Sequence, residues 1–193
     1  MYRLAQINCR GLASKISELT RLIYRLNLDI VLLSELKVSS HKKNKNRFSV
    51  RIPGFRLFFT SFSAGILVKN NLRVVENPIL KKKKPSQQRD LFFTKDIKFQ
   101  QLRIQNKHSK ETLLVFSVYR SPKAGPDSFS DFFSFIAAQQ RHEEHVIVAG
   151  DFNAHHHSWG CPGNNNAGNY LSHFIHNSPF IIHNGPHPLT PRT

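Results

Sequence analysis

Four apolar runs punctuate the chain, and each ends on polar residues. Leu4, Ala5 and Ile7 lead to Asn8. Ile30 to Leu33 lead to Ser34-Glu35, Leu113 to Val118 run into Tyr119-Arg120 ahead of Pro122, and Val146 to Ala149 pass through Gly150 into Asp151-Phe152-Asn153. Apolar runs of this length, bounded by Gly, Pro or polar residues, read as buried strands. Open α/β sheets place their ligand crevices beyond the carboxyl ends of strands. If these four strands are neighbours, one rim collects Asn8, Glu35, Tyr119, Asp151 and Asn153.

Between the runs the period changes. Ile16, Leu19, Leu22, Ile23 and Leu26 recur at three- and four-residue steps after Ser14, which predicts a helix capped by that serine. Phe129, Phe132, Phe133 and Ile136 share one helical face after Pro126-Asp127, and Leu171, Phe174 and Ile175 mark a helix opening at Gly168. Residues 98–106 and 112–118 read as a hairpin around His108-Ser109-Lys110. The order is strand, helix, strand, a β-rich middle, then a second section of alternating helices and strands. No solenoid repeat is present. The 193 residues suit one domain, 1–193, of the α/β class, with the phenylalanines mostly in its core.

Charge narrows the choice of partner. Lys plus Arg number 28 against 12 Asp plus Glu, a formal net charge of +16, and this excess favours a polyanion through steering and counterion release. Nucleic acid is the leading candidate. A membrane surface is the rival, but no stretch approaches the roughly 20 apolar residues of a spanning helix and the N-terminus has no signal-peptide pattern, so a soluble intracellular protein is expected. The basic segments at His41 to Arg47 and Lys81 to Lys84 are most simply solvated loops, with nuclear import or phosphate-backbone contact as the functional alternatives. Two cysteines, Cys9 and Cys161, are too few for a disulfide scaffold and read as reduced thiols.

The rim itself suggests a chemistry. Two carboxylates, two amides and a phenol suit a hard, oxygen-preferring cation such as Mg²⁺, with Mn²⁺ as the substitute, sharing its shell with water and a phosphate. The triplet His155-His156-His157 with Cys161 invites a zinc reading, but three consecutive histidines cannot all point one way, and a polar loop beside Asp151 is the simpler account.

QINCRG around Asn8, LLSELK around Glu35, VYRSP at Val118 to Pro122 and GDFNAHH at Gly150 to His156 resemble the endonuclease/exonuclease/phosphatase superfamily. The closer likeness is to the apurinic-type endonuclease domain of non-LTR (LINE-like) retrotransposons. SAGILVKN at Ser63 to Asn70, Trp159-Gly160, Gly168 and Asn184 followed by Leu189-Thr190 occur in matching order. The resemblance implies a four-layer sandwich of two packed mixed β-sheets flanked by helices. It also implies a Mg²⁺-dependent DNA endonuclease, acting in the nucleus, whose nick primes target-primed reverse transcription, within a longer polyprotein carrying a reverse transcriptase. Glu35 would hold the metal with Asn8 beside it. Asp151 would orient or deprotonate the attacking water, Tyr119 would hydrogen-bond the phosphoryl group, and Asn153, Arg120 and His155 would contact substrate. The family ends in an aspartate strand and a Ser-Asp-His element that are not found up to Thr193, so the expectation is a C-terminally incomplete domain with its last strands missing and its activity impaired. Two alternatives stand beside this one: a non-catalytic DNA-binding remnant, and a phosphatase or phosphodiesterase of the same superfamily.

Overall fold

The computed structural model describes residues 2–37, 51–76, 96–105 and 111–184. Both basic segments, the His108 turn, Phe92-Phe93 and Leu189-Thr190 lie outside the described residues. Strands β1 (Leu4–Asn8), β2 (Ile30–Ser34), β3 (Phe55–Ser61) and β4 (Ala64–Lys69) form one sheet in the order β1-β2-β4-β3. Strands β5 (Arg73–Glu76), β6 (Ile97–Gln105), β7 (Thr112–Arg120) and β8 (His145–Asp151) form the second, in chain order. Each sheet is mixed: β1 runs parallel to β2 and β7 parallel to β8, while the other pairings are antiparallel. Helices α1 (Leu12–Arg25), α2 (Ser128–Gln139) and α3 (Asn166–His176) flank them. This is the sandwich that the sequence implied.

Side-chain alternation along the strands divides the core into three layers. Ile30, Leu32, Ile66, Leu102, Ile104, Leu113 and Val115 meet between the sheets. Val31, Leu33 and Leu67 turn the other way, onto Leu12, Leu19 and Ile23 of α1. In the second sheet Phe99, Leu114, Phe116 and Val118 pack on Phe129, Phe132, Phe133 and Ile136 of α2, with Leu171 of α3. The phenylalanines expected in the core interlock here; Phe116 meets Phe132 edge-on at 6.1 Å and Phe133 stacks on Phe174 at 4.6 Å. A buried hydrogen bond crosses between the sheets, from the Ser117 hydroxyl to the Leu33 carbonyl at 2.9 Å.

The helix starts differ from the sequence expectation by local chemistry. Helix α1 begins at Leu12, with Gly11 at the N-cap position, and Ser14 lies inside the first turn, where its hydroxyl donates to the Gly11 carbonyl at 3.0 Å. Leu26 follows the last helical residue and is 45% exposed. Helix α3 starts at Asn166, not Gly168, because the Asn165 side chain accepts from the Gly168 amide at 2.7 Å and supplies the cap. Gly168 is needed for a different reason: a Cβ there would lie 1.8 Å from the His155 carbonyl oxygen.

Gly150 is subject to the same constraint inside β8, where a Cβ would lie 1.9 Å from the Val118 carbonyl oxygen. Close approach of β7 and β8 therefore requires a bare α-carbon directly before Asp151. Gly150→Ala is expected to lower stability by about 3 kcal/mol, the upper part of the usual overpacking range, read as a shift in the urea midpoint.

Candidate active site

Strand parity explains why the rim residues converge. On β7 the residues Leu114, Phe116, Val118 and Arg120 share the α2 face, so Tyr119 falls on the face toward the other sheet with Val115 and Ser117. Tyr119 pairs in register with Asp151, which puts both on that face at the carboxyl ends of two parallel strands. In the first sheet Ala5 and Ile7 face α1, so Gln6 and Asn8 face the second sheet. Asn8 pairs with Ser34 at the ends of β1 and β2, and Gln6 donates to the Ser34 hydroxyl at 3.1 Å. The four apolar runs thus end on one side of the sandwich.

Glu35 reaches the same place by a bend in the backbone. It has φ +51°, a left-handed conformation that costs a non-glycine residue energy and is held here by three backbone hydrogen bonds. Its amide donates to Ser63 at 2.8 Å, its carbonyl accepts from Gly11 at 2.9 Å, and two residues on, the Lys37 amide donates to Phe62 at 2.9 Å.

Asn8 joins the two acids. Its side-chain nitrogen donates to Glu35 Oε1 at 2.8 Å and to Asp151 Oδ2 at 2.9 Å, bringing together groups 27 and 143 residues away in sequence. The Asn8 amide oxygen accepts from the Arg10 amide at 3.1 Å, which fixes the orientation in which its nitrogen meets both carboxylates. Asn153, at φ +47°, donates its amide to Asp151 Oδ1 at 3.1 Å and its side-chain nitrogen to the Arg120 carbonyl at 2.7 Å. Lys37 pairs with the other Glu35 oxygen at 2.7 Å.

The two carboxyls are tuned in opposite directions. The hydrogen bond from Lys37, then that from Asn8, holds Glu35 below the usual carboxylate range. Burial pushes Asp151 up, and the nearby Glu35 charge adds to that against the opposing Asn153 amide. Such a separation gives one group suited to staying ionised and one suited to exchanging a proton. Burial also pushes the Cys9 thiol up, to about 11, which makes it a poor nucleophile and a poor metal ligand. Cys9 and Cys161 are both unbridged.

Arg120 requires a correction. Expected as a substrate contact, it is 1% exposed, because it follows Tyr119 on a strand and falls on the opposite face. Its guanidinium donates to the carbonyls of Ala124 at 2.6 Å and Gly125 at 3.0 Å and lies 4.7 Å over the Phe129 ring. It therefore shapes the loop between β7 and α2 from beneath. Arg120 itself, with Pro122, Ala124, Pro126, Asn153 and residues 165–167, lines an open cavity of about 450 Å³.

The histidine loop is exposed at His155 and polar, and each partnered ring has its own local contact. His156 accepts from the Ser158 amide at 3.1 Å, His157 lies 3.0 Å from the Cys161 carbonyl, and the Trp159 indole donates to Ala154 at 2.9 Å. His155 is the member whose charge reaches Asp151. Two contributors lay outside the sequence reading. Lys37 is one. Asn165 is the other, since its side chain accepts from the His155 amide at 3.0 Å, donates to the Asn153 carbonyl at 3.2 Å and so fixes the loop after Asp151. Its position before the apolar period of α3 is the signal that identifies it as a cap.

The donor chemistry fits a hard divalent cation. Glu35 and Asp151 present oxygen only, and Mg²⁺ commonly uses one or two carboxylates while keeping several waters. Among the described residues no cluster of three or more His, Cys, Asp or Glu stands ready to enclose a metal.

Two sheets packed face to face, with an Asn, a Glu and an Asp gathered at one pole, make a fold shared with nucleases and phosphatases of known structure. Residues 113–193 match the family described as endonuclease-reverse transcriptase. Solved structures agree on the fold. The endonuclease domain of TRAS1, a telomere-specific non-LTR retrotransposon, is 19% identical with TM-score 0.66, over 92% of this chain and 70% of that one. An endonuclease/exonuclease/phosphatase family protein from Leptotrichia buccalis is 11% identical with TM-score 0.58, over 91% of this chain and 72% of that one. TDP2 of D. rerio, in complex with a single-strand DNA product, is 17% identical with TM-score 0.52, over 79% of this chain and 61% of that one. No curated protein matches the chain. The family match spans the VYRSP and GDFNAHH motifs, and the fold is the one that the resemblance implied. No described helix is long and apolar enough to cross a membrane.

Proposed function

We propose that this chain is a Mg²⁺-dependent DNA endonuclease of the retroelement type, which nicks a phosphodiester to expose a 3′-hydroxyl for reverse transcription. The observation that carries the reading is the Asn8 bridge between Glu35 and Asp151, on a chain of net charge +16. Glu35, ionised and steered by Lys37 and Asn8, would hold the cation, with Mn²⁺ able to substitute. A bound divalent ion would supply charge stabilisation at the phosphoryl oxygens.

The rest of the chemistry falls to side chains. Asp151, with its carboxyl pushed up by burial, orients the attacking water and accepts its proton. Tyr119, in register with Asp151 on the same face, donates to a phosphoryl oxygen. Asn153 fixes a second phosphate oxygen in a rigid loop, and exposed His155 contacts the backbone beyond it. The arrangement needs no contribution from the Arg120 guanidinium to substrate. Reverse transcriptase in the same polyprotein and action in the nucleus belong to this proposal.

Incubation with supercoiled plasmid, inositol phosphates and sphingomyelin, with and without Mg²⁺, separates the readings. Mg²⁺-dependent conversion of plasmid to open circles is expected. Salt-sensitive DNA binding that persists in Asp151→Ala, with no nicking by the unaltered chain, would favour a binding module instead. Turnover of the small phosphoesters alone would favour a phosphatase.

A further inference from the structure

The turn that holds the Glu35 loop carries an aromatic residue that the core does not use. Ser61 pairs with Ala64, leaving Phe62 and Ser63 as the turn between β3 and β4. Phe62 is 50% exposed and takes part in none of the three core clusters. Its turn is tied to the Glu35 loop at two points, through Glu35 N–H to Ser63 O at 2.8 Å and Lys37 N–H to Phe62 O at 2.9 Å. Whatever positions Glu35 therefore positions Phe62. Two cations accompany it: Lys37, whose side chain is 62% exposed, and Arg10, close enough to act on the Glu35 charge.

The other large exposed apolar side chains among the described residues differ in setting: Phe59, at 36% the least exposed of them, lies within β3, and Leu26 follows the last residue of α1. The Tyr24 hydroxyl is tied to the Pro53 carbonyl at 2.8 Å, Val75 lies on β5, and Ile181 and Ile182 follow α3. An exposed aromatic residue on a turn held to the Glu35 loop, with Lys37 and Arg10 around that loop, has the composition that holds nucleic acid, since cations take phosphates and a ring takes base or sugar faces. A ring that stacks on a base must also open the step beside it, which costs least at flexible pyrimidine–purine steps and most in stiff A-tracts.

We propose that Phe62 is a substrate-positioning and specificity residue: it packs into duplex DNA at the nucleotide flanking the scissile phosphate and biases nicking toward deformable steps. The inference rests on the endonuclease reading, and the test distinguishes failure of the two. The full chain, Phe62→Ala, Phe62→Leu and Phe62→Trp are compared on duplexes that differ only in a central TA step or an A-tract. Nicking is followed in Mg²⁺, and binding is followed by 2-aminopurine fluorescence at the central step in an Asp151→Asn background.

Phe62→Ala is expected to raise KM on the TA duplex roughly tenfold with little change in kcat, as loss of one stacked base implies. It should also narrow the gap between TA and A-tract substrates and abolish the fluorescence rise. Phe62→Trp should restore all three and Phe62→Leu should not. Unchanged KM and step preference in Phe62→Ala, or equal rescue by leucine and tryptophan, overturns the role of Phe62 while leaving the endonuclease intact. Absence of both binding and nicking in the unaltered chain overturns the endonuclease reading, and this inference with it.

Discussion

Asp151→Asn is expected to lower the nicking rate roughly 10²–10⁴-fold, the range associated with losing a positioned proton acceptor, while leaving plasmid affinity nearly unchanged. The substitution keeps the shape of the side chain and the amide contact from Asn153. It removes the charge and the basic oxygen. Because Asn8 donates to Asp151 Oδ2 and the Asn153 amide donates to Oδ1, both oxygens are oriented before substrate arrives, and that preorganisation is what the variant loses in function but not in geometry. Single-turnover nicking and filter binding on the same plasmid give the two numbers. An equal fall in both would show Asp151 acting in substrate binding.

The largest effect on stability is expected at the opposite pole of the second sheet. Arg103, 4% exposed, grips Glu144, 5% exposed, through Nε at 2.6 Å and its terminal nitrogen at 3.1 Å. It also donates to Glu76 and to the Gln139 carbonyl at the end of α2. Thr112 and the Arg141 amide complete the shell around Glu144 at 2.9 and 3.2 Å. Arg103→Ala would strand a buried carboxylate and is expected to cost about 3–5 kcal/mol in denaturant unfolding.

The pH dependence of the intact network follows from the Glu144 carboxyl. Burial alone would raise it, but the hydrogen bonds from Arg103, Thr112 and the Arg141 amide, together with the Arg103 charge, hold it below the ordinary value. A depressed carboxyl contributes stability that is present above its unfolded pKa and is lost as pH falls through the folded one, since the unfolded chain then binds the proton more readily. Acid titration of the unfolding free energy should therefore show a loss below about pH 4 that is smaller in Glu144→Gln.

The positions that define the site were legible because they interrupt strong local patterns. A buried apolar run that ends in Asp151-Phe152-Asn153 or in Ser34-Glu35 leaves few explanations for the acid. Parity was legible too, but only after strand ends are known: Tyr119 and Arg120 are adjacent in the sequence, and a one-residue choice of face decides which reaches the cleft and which goes under the loop. Helix starts were harder, because a serine within the first turn of α1 and a glycine required by the His155 carbonyl both imitate caps. Lys37 and Asn165 were harder still. Their importance comes from contacts with Glu35, Asn153 and His155 that depend on loop conformation, which hydrophobic periodicity does not encode.

The central claim is that Asn8, Glu35 and Asp151 form one cation-dependent site. Titration of the folded chain with Mn²⁺, followed by its paramagnetic resonance signal, tests it without reference to turnover. One saturable ion per chain is expected, displaced by Mg²⁺, lost in Glu35→Gln and retained in the surface control Glu18→Gln. Undiminished Mn²⁺ binding in folded Glu35→Gln would contradict the account.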